Sequence, residues 1–248
     1  MISDGLRLVA NEEREDFLTK ELSLIRERID RIKIEKALGN DGMADRGQVS
    51  ADSSLEKVVN YVLKYGLDHA FELRAAISEW QNLIEGEPHL VDLGCGIGLS
   101  DLVLQSCGVE VSSYAGVDHN PEMLKLAIQF NLGSTFTKEI RTVTKTRGSG
   151  FLIINHLFGQ TEVTDQNLLD FAYYVSRIFN QGFTVLNIEP QMSRVDINRQ
   201  RFRDLLMSVG YVEEMTEFKQ TETKFKTPKN SWFAKYLLQK QILESIAT

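Results

Sequence analysis

Two cysteines, four prolines and four histidines in 248 residues leave several kinds of protein out of reach. Cys95 and Cys107 form neither a disulfide framework nor a Cys-x-x-Cys pair, and His69, His89, His119 and His156 fall at no zinc-ligand spacing. Reduced thiols and no metal are therefore expected. No apolar stretch approaches the roughly 20 residues that cross a bilayer. Charge follows Met1 too soon for a signal peptide, so a cytoplasmic protein with no membrane contact is expected. The chain lacks internal repeats and low-complexity tracts, which sets aside solenoid and largely disordered architectures. It also lacks a basic surplus: Lys+Arg 28 against Asp+Glu 35 gives a net charge of -7, which weighs against a surface built to track phosphates.

What is present divides the chain in two, an all-helical extension over 1–88 and an α/β domain over 89–248. Leu18, Leu22, Ile25, Ile29 and Ile32 alternate spacings of four and three within a highly charged stretch over 12–38. That pattern predicts an amphipathic helix whose narrow seam suits either the rest of the chain or a second copy in a homodimer. The segment 39–50 reads as a linker. Ser53 and Glu56 form a capping-box signature for a second helix that Gly66 ends, and 68–84 gives a third.

From His89 onward, short apolar runs alternate with helical ones, the mark of βαβ units and a parallel sheet. Strands are predicted at 89–93, 111–117, weakly somewhere in 134–144, and at 151–155, 183–188, 211–218 and 232–239. Helices are predicted near 99–107, 121–131, 165–180 and 194–209, the second announced by the cap-and-proline pair Asn120-Pro121. The last two strands have no helix between them and predict an antiparallel hairpin at the sheet edge.

The most informative segment is Val91-Asp92-Leu93-Gly94-Cys95-Gly96-Ile97-Gly98, a strand end running through three alternate glycines into a helix. Glycine lets the backbone turn sharply and lets a ligand approach its amides. The spacing is GxGxG, unlike the GxGxxG of dinucleotide sites. An acid two residues before the first glycine suits a ligand bearing an ammonium and a sulfonium better than a pyrophosphate. Asp118 ends the next strand 24 residues after Gly94, where a carboxylate can take both ribose hydroxyls.

With Asp92, Gly94, Gly96, Gly98, Asp118 and the run Asn120-Pro121-Glu122-Met123-Leu124, the sequence resembles the class I, seven-stranded, Rossmann-like S-adenosylmethionine-dependent methyltransferases over 89 to about 240. The resemblance implies a mostly parallel sheet with an antiparallel last strand. It implies S-adenosylmethionine as cofactor, with Gly94, Cys95, Gly96 and Gly98 shaping its loop, Asp92 supporting its amino-acid end, Asp118 its ribose, and His119 beside the adenine or on a solvent-facing cap. Asn155 and His156 follow the fourth strand, where this family places groups that face the acceptor. His156 is a candidate general base or packs against the next helix; Asn155 orients the acceptor or caps the strand. Glu189 lines the acceptor pocket or is an exposed loop acid. Cys95 has no base beside it and reads as no nucleophile. One departure is that 133–147 lacks a clear adenine-holding acid or amide, Glu139 being a guess, and the helix before the fourth strand is shortened or absent.

For the acceptor, the acidic balance favours a small molecule over RNA. Six lysines against one acid in 219–240, interleaved with aromatics, fit either a base-stacking patch or the guarded edge of a sheet. A cofactor-binding partner subunit without activity of its own is the other class of reading. The helical extension reads equally as lid, dimer element or docking surface.

Overall fold

A computed structural model describes Glu27, Ser50, 52–80, 84, 86–130, 134–146, 150–160, 163–179, 182–190, 192–221 and 229–238. The seam predicted over 12–38 lies outside these residues, Glu27 excepted. So do most of the linker and the lysines at 224 and 226. The elements in chain order are α1 (Leu55–Trp80), β1 (His89–Leu93), α2 (Leu99–Ser106), β2 (Ser113–Val117), α3 (Pro121–Phe130), β3 (Thr135–Thr137), β4 (Gly150–Asn155), α4 (Asp165–Ile178), β5 (Gly182–Pro190), α5 (Ser193–Ser208), β6 (Tyr211–Thr221) and β7 (Lys229–Leu238). They build one seven-stranded sheet ordered β3-β2-β1-β4-β5-β7-β6. The pairings among β1 to β5 are parallel, while β7 runs antiparallel to both β5 and β6. This is the Rossmann-like α/β sheet with the reversed strand that the motifs imply.

The near-continuous apolar runs of β1 and β4 follow from helices covering both faces of the sheet. Leu90, Phe151, Ile153 and Leu186 pack with α1 and α2 on one side, while Val91, Leu152, Ile154 and Val185 pack with α4 and α5 on the other. α4 shows why its register is fixed: Leu168, Phe171, Ala172, Val175 and Ile178 make one buried stripe, and the Thr164 side chain caps the helix by accepting from the Asn167 backbone N–H.

Two expectations need correction. Gly66 does not end a helix: α1 runs unbroken through it to Trp80, joining the two predicted helices. Gly66 is buried. A single interior glycine costs about 1 kcal/mol of helix propensity, less than the packing of Val62, Ala70, Leu73, Ala76, Ile77 and Trp80 supplies. The helix is capped by Ser54, whose hydroxyl accepts from Lys57 N (3.4 Å), because the Ser53 hydroxyl is taken by Ser50 N (2.9 Å). The predicted antiparallel hairpin stands at the sheet edge, with β6 outermost and β7 inserted between β5 and β6. Trp232, Phe233, Ala234 and Tyr236 are accordingly buried whichever face they take, where an edge strand would alternate. The missing helix before β4 is a finding that agrees with the sequence: a single 3-10 turn, Ile140–Thr142, stands in its place.

Candidate active site

The C-terminal ends of β1, β2 and β4 meet where the strand order reverses around β1, the position at which open α/β sheets bind ligands. A cavity of about 440 Å³ opens there. Its floor is the turn after β1. Gly94, Gly96 and Gly98 all sit in the left-handed region with φ of 74°, 55° and 74°, which side chains disfavour. The Gly94 and Cys95 N–H groups donate to Val117 O (2.8 and 3.1 Å), and Gly98 N–H donates to Cys95 O (2.8 Å). The turn is thereby fastened to the end of β2.

Asp92 is fully buried and lines the cavity. Its Oδ2 accepts from the Tyr114 hydroxyl (2.7 Å), while Oδ1 has no hydrogen-bond partner. Burial outweighs the opposing influence of the nearby Ser100 and Tyr114 hydroxyls and pushes its pKa up to about 6. A buried carboxylate oxygen left without a donor is costly. Asp118 lines the same cavity at the end of β2. Its two oxygens accept from Gly96 N (2.9 Å) and Asn120 N (2.8 Å), which fixes the carboxylate while each oxygen keeps a second lone pair. Burial raises its pKa, partly countered by these two N–H groups. Asn120 in turn caps α3 by accepting from Glu122 N (2.9 Å) and Met123 N (3.0 Å), and its amide donates to Ser50 O and Ser53 O. That contact ties the start of α1 to the cavity. Cys95 and His119 also line it. Burial pushes the Cys95 thiol well up from its ordinary value. Glu139, the guessed adenine contact, is exposed and paired with Arg141.

At the end of β4, Asn155 presents a buried Oδ1 with no partner, and His156 takes a left-handed φ of 55°, the one non-glycine residue to do so among those described. Such strain persists where surrounding contacts over-determine it. His156 N donates to Ile188 O (3.0 Å), and its Nε2 lies 2.7 Å from Glu72 Oε2 on α1. The His69 ring, one helical turn earlier, stacks on the His156 ring with centroids 4.3 Å apart and planes 13° apart. Glu189 is buried and lines the cavity, so the exposed-loop alternative falls away. It accepts from Phe158 N (2.7 Å) and Gly159 N (3.4 Å), holding the loop that follows His156.

His69, Glu72 and Tyr61 were not singled out in the sequence, where they occupy ordinary helical positions. His69 and Glu72 stand three apart and so share a helix face, which is the one signal available there. The ligand atoms of His69, Glu72 and His156 lie within 4.8 Å of one another. The two imidazole planes are nearly parallel, so their in-plane lone pairs do not converge on one point, and the short contact is the carboxylate–imidazole hydrogen bond.

No family model matches the chain, and no curated protein matches it. Solved structures do. A chain from the complex of the Haloferax volcanii Trm112 methyltransferase activator with the protein described as a methyltransferase superposes with a TM-score of 0.52 at 14% identity, over 73% of this chain and 96% of that one. A SAM-dependent methyltransferase from Leishmania major superposes with a TM-score of 0.50 at 14% identity, over 76% and 78%. The fold is thus the Rossmann-like fold that class I SAM-dependent methyltransferases share.

Proposed function

We propose that the protein is a SAM-dependent methyltransferase acting on a small molecule. The observation that carries the reading is the pairing of the Gly94–Gly98 turn with two fixed carboxylates. Asp92 offers an unpartnered buried oxygen to an ammonium, and Asp118 offers its remaining lone pairs to a ribose diol. S-adenosylmethionine supplies the activated methyl group; the chain's own task is alignment and exclusion of water. Gly94, Cys95, Gly96 and Gly98 form the backbone cradle, and His119 borders the nucleoside. At the other end, Asn155 orients the acceptor and His156 takes its proton.

The described part of the N-terminal extension acts as a wall of the cavity through Tyr61, Val62 and His69. Among the described residues no helix is long and apolar enough to cross a membrane.

The test is calorimetric titration with S-adenosylmethionine, S-adenosylhomocysteine and NAD. Micromolar binding of the first two, lost in Asp118→Ala, is the expected result; silence with both, or preference for NAD, defeats the reading.

A further inference from the structure

Glu72, Glu189 and the unpartnered Asn155 oxygen play no part in holding the cofactor, yet all three gather around His156. Glu72 hydrogen-bonds its ring, Glu189 fixes the loop that follows it, and Asn155 precedes it. The charged side chains lining the cavity are Asp92, Asp118 and Glu189, with histidines the sole basic groups; no lysine or arginine lines it among the described residues. Glu72, 3% exposed, adds a fourth carboxylate behind His156. With Asp92 and Asp118 taken by the cofactor, Glu189 and Glu72 remain on the acceptor side, and with no lysine or arginine lining the cavity among the described residues they attract a cation and reject an anion by Coulomb interaction in low dielectric. An orphaned amide oxygen calls for an N–H or O–H donor.

We infer that the acceptor is an amine that enters the cavity in its ammonium form, and that Glu72 is the positioning residue that holds His156 ready to remove the ammonium proton. The inference rests on the methyltransferase reading and names its substrate class. With Glu72 as a carboxylate, an acceptor only, His156 Nε2 carries the hydrogen of that contact and the ring's free lone pair sits on Nδ1. The stack against His69 and the left-handed backbone fix the ring further. The ammonium gives one proton to His156. The freed nitrogen lone pair then attacks the methyl carbon, the carbon–sulfur bond breaks with its electron pair passing to sulfur, and the products are S-adenosylhomocysteine and a methylated ammonium. The imidazolium, stabilised by Glu72 and Glu189, returns its proton to solvent. An ammonium cannot attack an electrophile, so an enzyme that recruits amines as cations needs such a group.

Benzylamine, benzyl alcohol and benzoate serve as matched probes, titrated into protein saturated with S-adenosylhomocysteine. Benzylamine is expected to bind at least about tenfold more tightly than either of the others, a difference of about 1.4 kcal/mol. Benzoate or the alcohol binding as tightly, or no benzylamine binding at millimolar concentration, overturns the inference. Glu72→Gln is expected to weaken benzylamine about tenfold while leaving S-adenosylhomocysteine affinity and melting temperature nearly unchanged, with Glu72→Asp recovering part of the loss. It is also expected to move methyl transfer from labelled S-adenosylmethionine to higher pH, where solvent can deprotonate the amine. A fall in cofactor affinity and melting temperature in both variants with no pH shift means that Glu72 is structural and overturns its role. Loss of benzylamine binding on adding EDTA transfers the site to a metal ion and also overturns it. If S-adenosylhomocysteine does not bind but the unliganded protein still prefers benzylamine, the cofactor reading fails and the amine site stands; the reverse result removes the amine alone.

Discussion

Asp92 carries opposite consequences for stability and binding. Its folded pKa of about 6 lies above the ordinary 3.8, so the folded state favours the protonated form. The stability that this confers is complete below pH 3.8 and is lost as the pH rises through about 6. At neutral pH the buried charge is therefore a cost, up to about 3 kcal/mol for a shift of this size. Asp92→Asn is expected to raise the melting temperature of the ligand-free protein at pH 7 and to weaken S-adenosylmethionine binding about tenfold or more, by scanning calorimetry and titration calorimetry respectively. For the native protein, cofactor affinity is expected to fall as pH drops from 7 to 5, because protonation removes the charge that meets the ammonium. An affinity flat across that range would mean that Asp92 does not face the cofactor. The glycines and acids of this end were legible in the sequence because each acts through its own backbone or a strand end a fixed distance away. Glu72 was not, since nothing local distinguishes a buried acid on a helix from the exposed acids of its neighbours.

At the scale of elements, the close approaches between β5 and β7 set what the sheet tolerates. A Cβ on Gly182 would stand 2.6 Å from Tyr236 O and 2.9 Å from Leu237 Cδ2. The first contact is backbone and cannot swing aside. Gly182→Ala is expected to cost about 1–3 kcal/mol by strand displacement, read as a lowered urea midpoint. On the opposite face, Trp80 near the end of α1 stacks on Phe233 of β7 with centroids 5.0 Å apart and planes 11° apart, and it is 1% exposed. Trp80→Ala is expected to cost about 3–5 kcal/mol, measurable by denaturant unfolding, although neither residue lies at the site. Strand and helix positions were readable from periodicity where β1, β4 and β5 bury near-continuous apolar runs, and least so at the short, part-exposed β3. The continuity of α1 through Gly66 and the interior placement of β7 were not, because both depend on what packs against them.

For the whole molecule, the residues of α1 belong to the same hydrophobic cluster as Leu90, Phe151, Leu186 and Phe233 of the sheet. A chain truncated to 89–248 would strip α1 from that sheet face and leave it covered only by α2 and α3. It is expected to be insoluble or to lose its cooperative unfolding transition, whereas a removable lid would leave a folded, cofactor-binding core; circular dichroism and calorimetry of the truncated chain distinguish these outcomes. Binding of S-adenosylhomocysteine at 100 times its dissociation constant is expected to stabilise the intact chain by about 2.7 kcal/mol.

The sequence by itself determined the sheet's βαβ order, the glycine turn with Asp92 ahead of it, the acid at Asp118 and the polar pair Asn155 and His156 after β4. All of these rest on local pattern: apolar runs, turn residues and spacings along one stretch of chain. Only the tertiary structure decided what meets them. Glu72 and His156 are 84 residues apart, and Glu189 reaches back to Phe158 and Gly159 across the gap between two strands. Such contacts arise when packing brings a helix from the N-terminal part of the chain against the sheet, and no periodicity along the chain encodes which of its faces will arrive there.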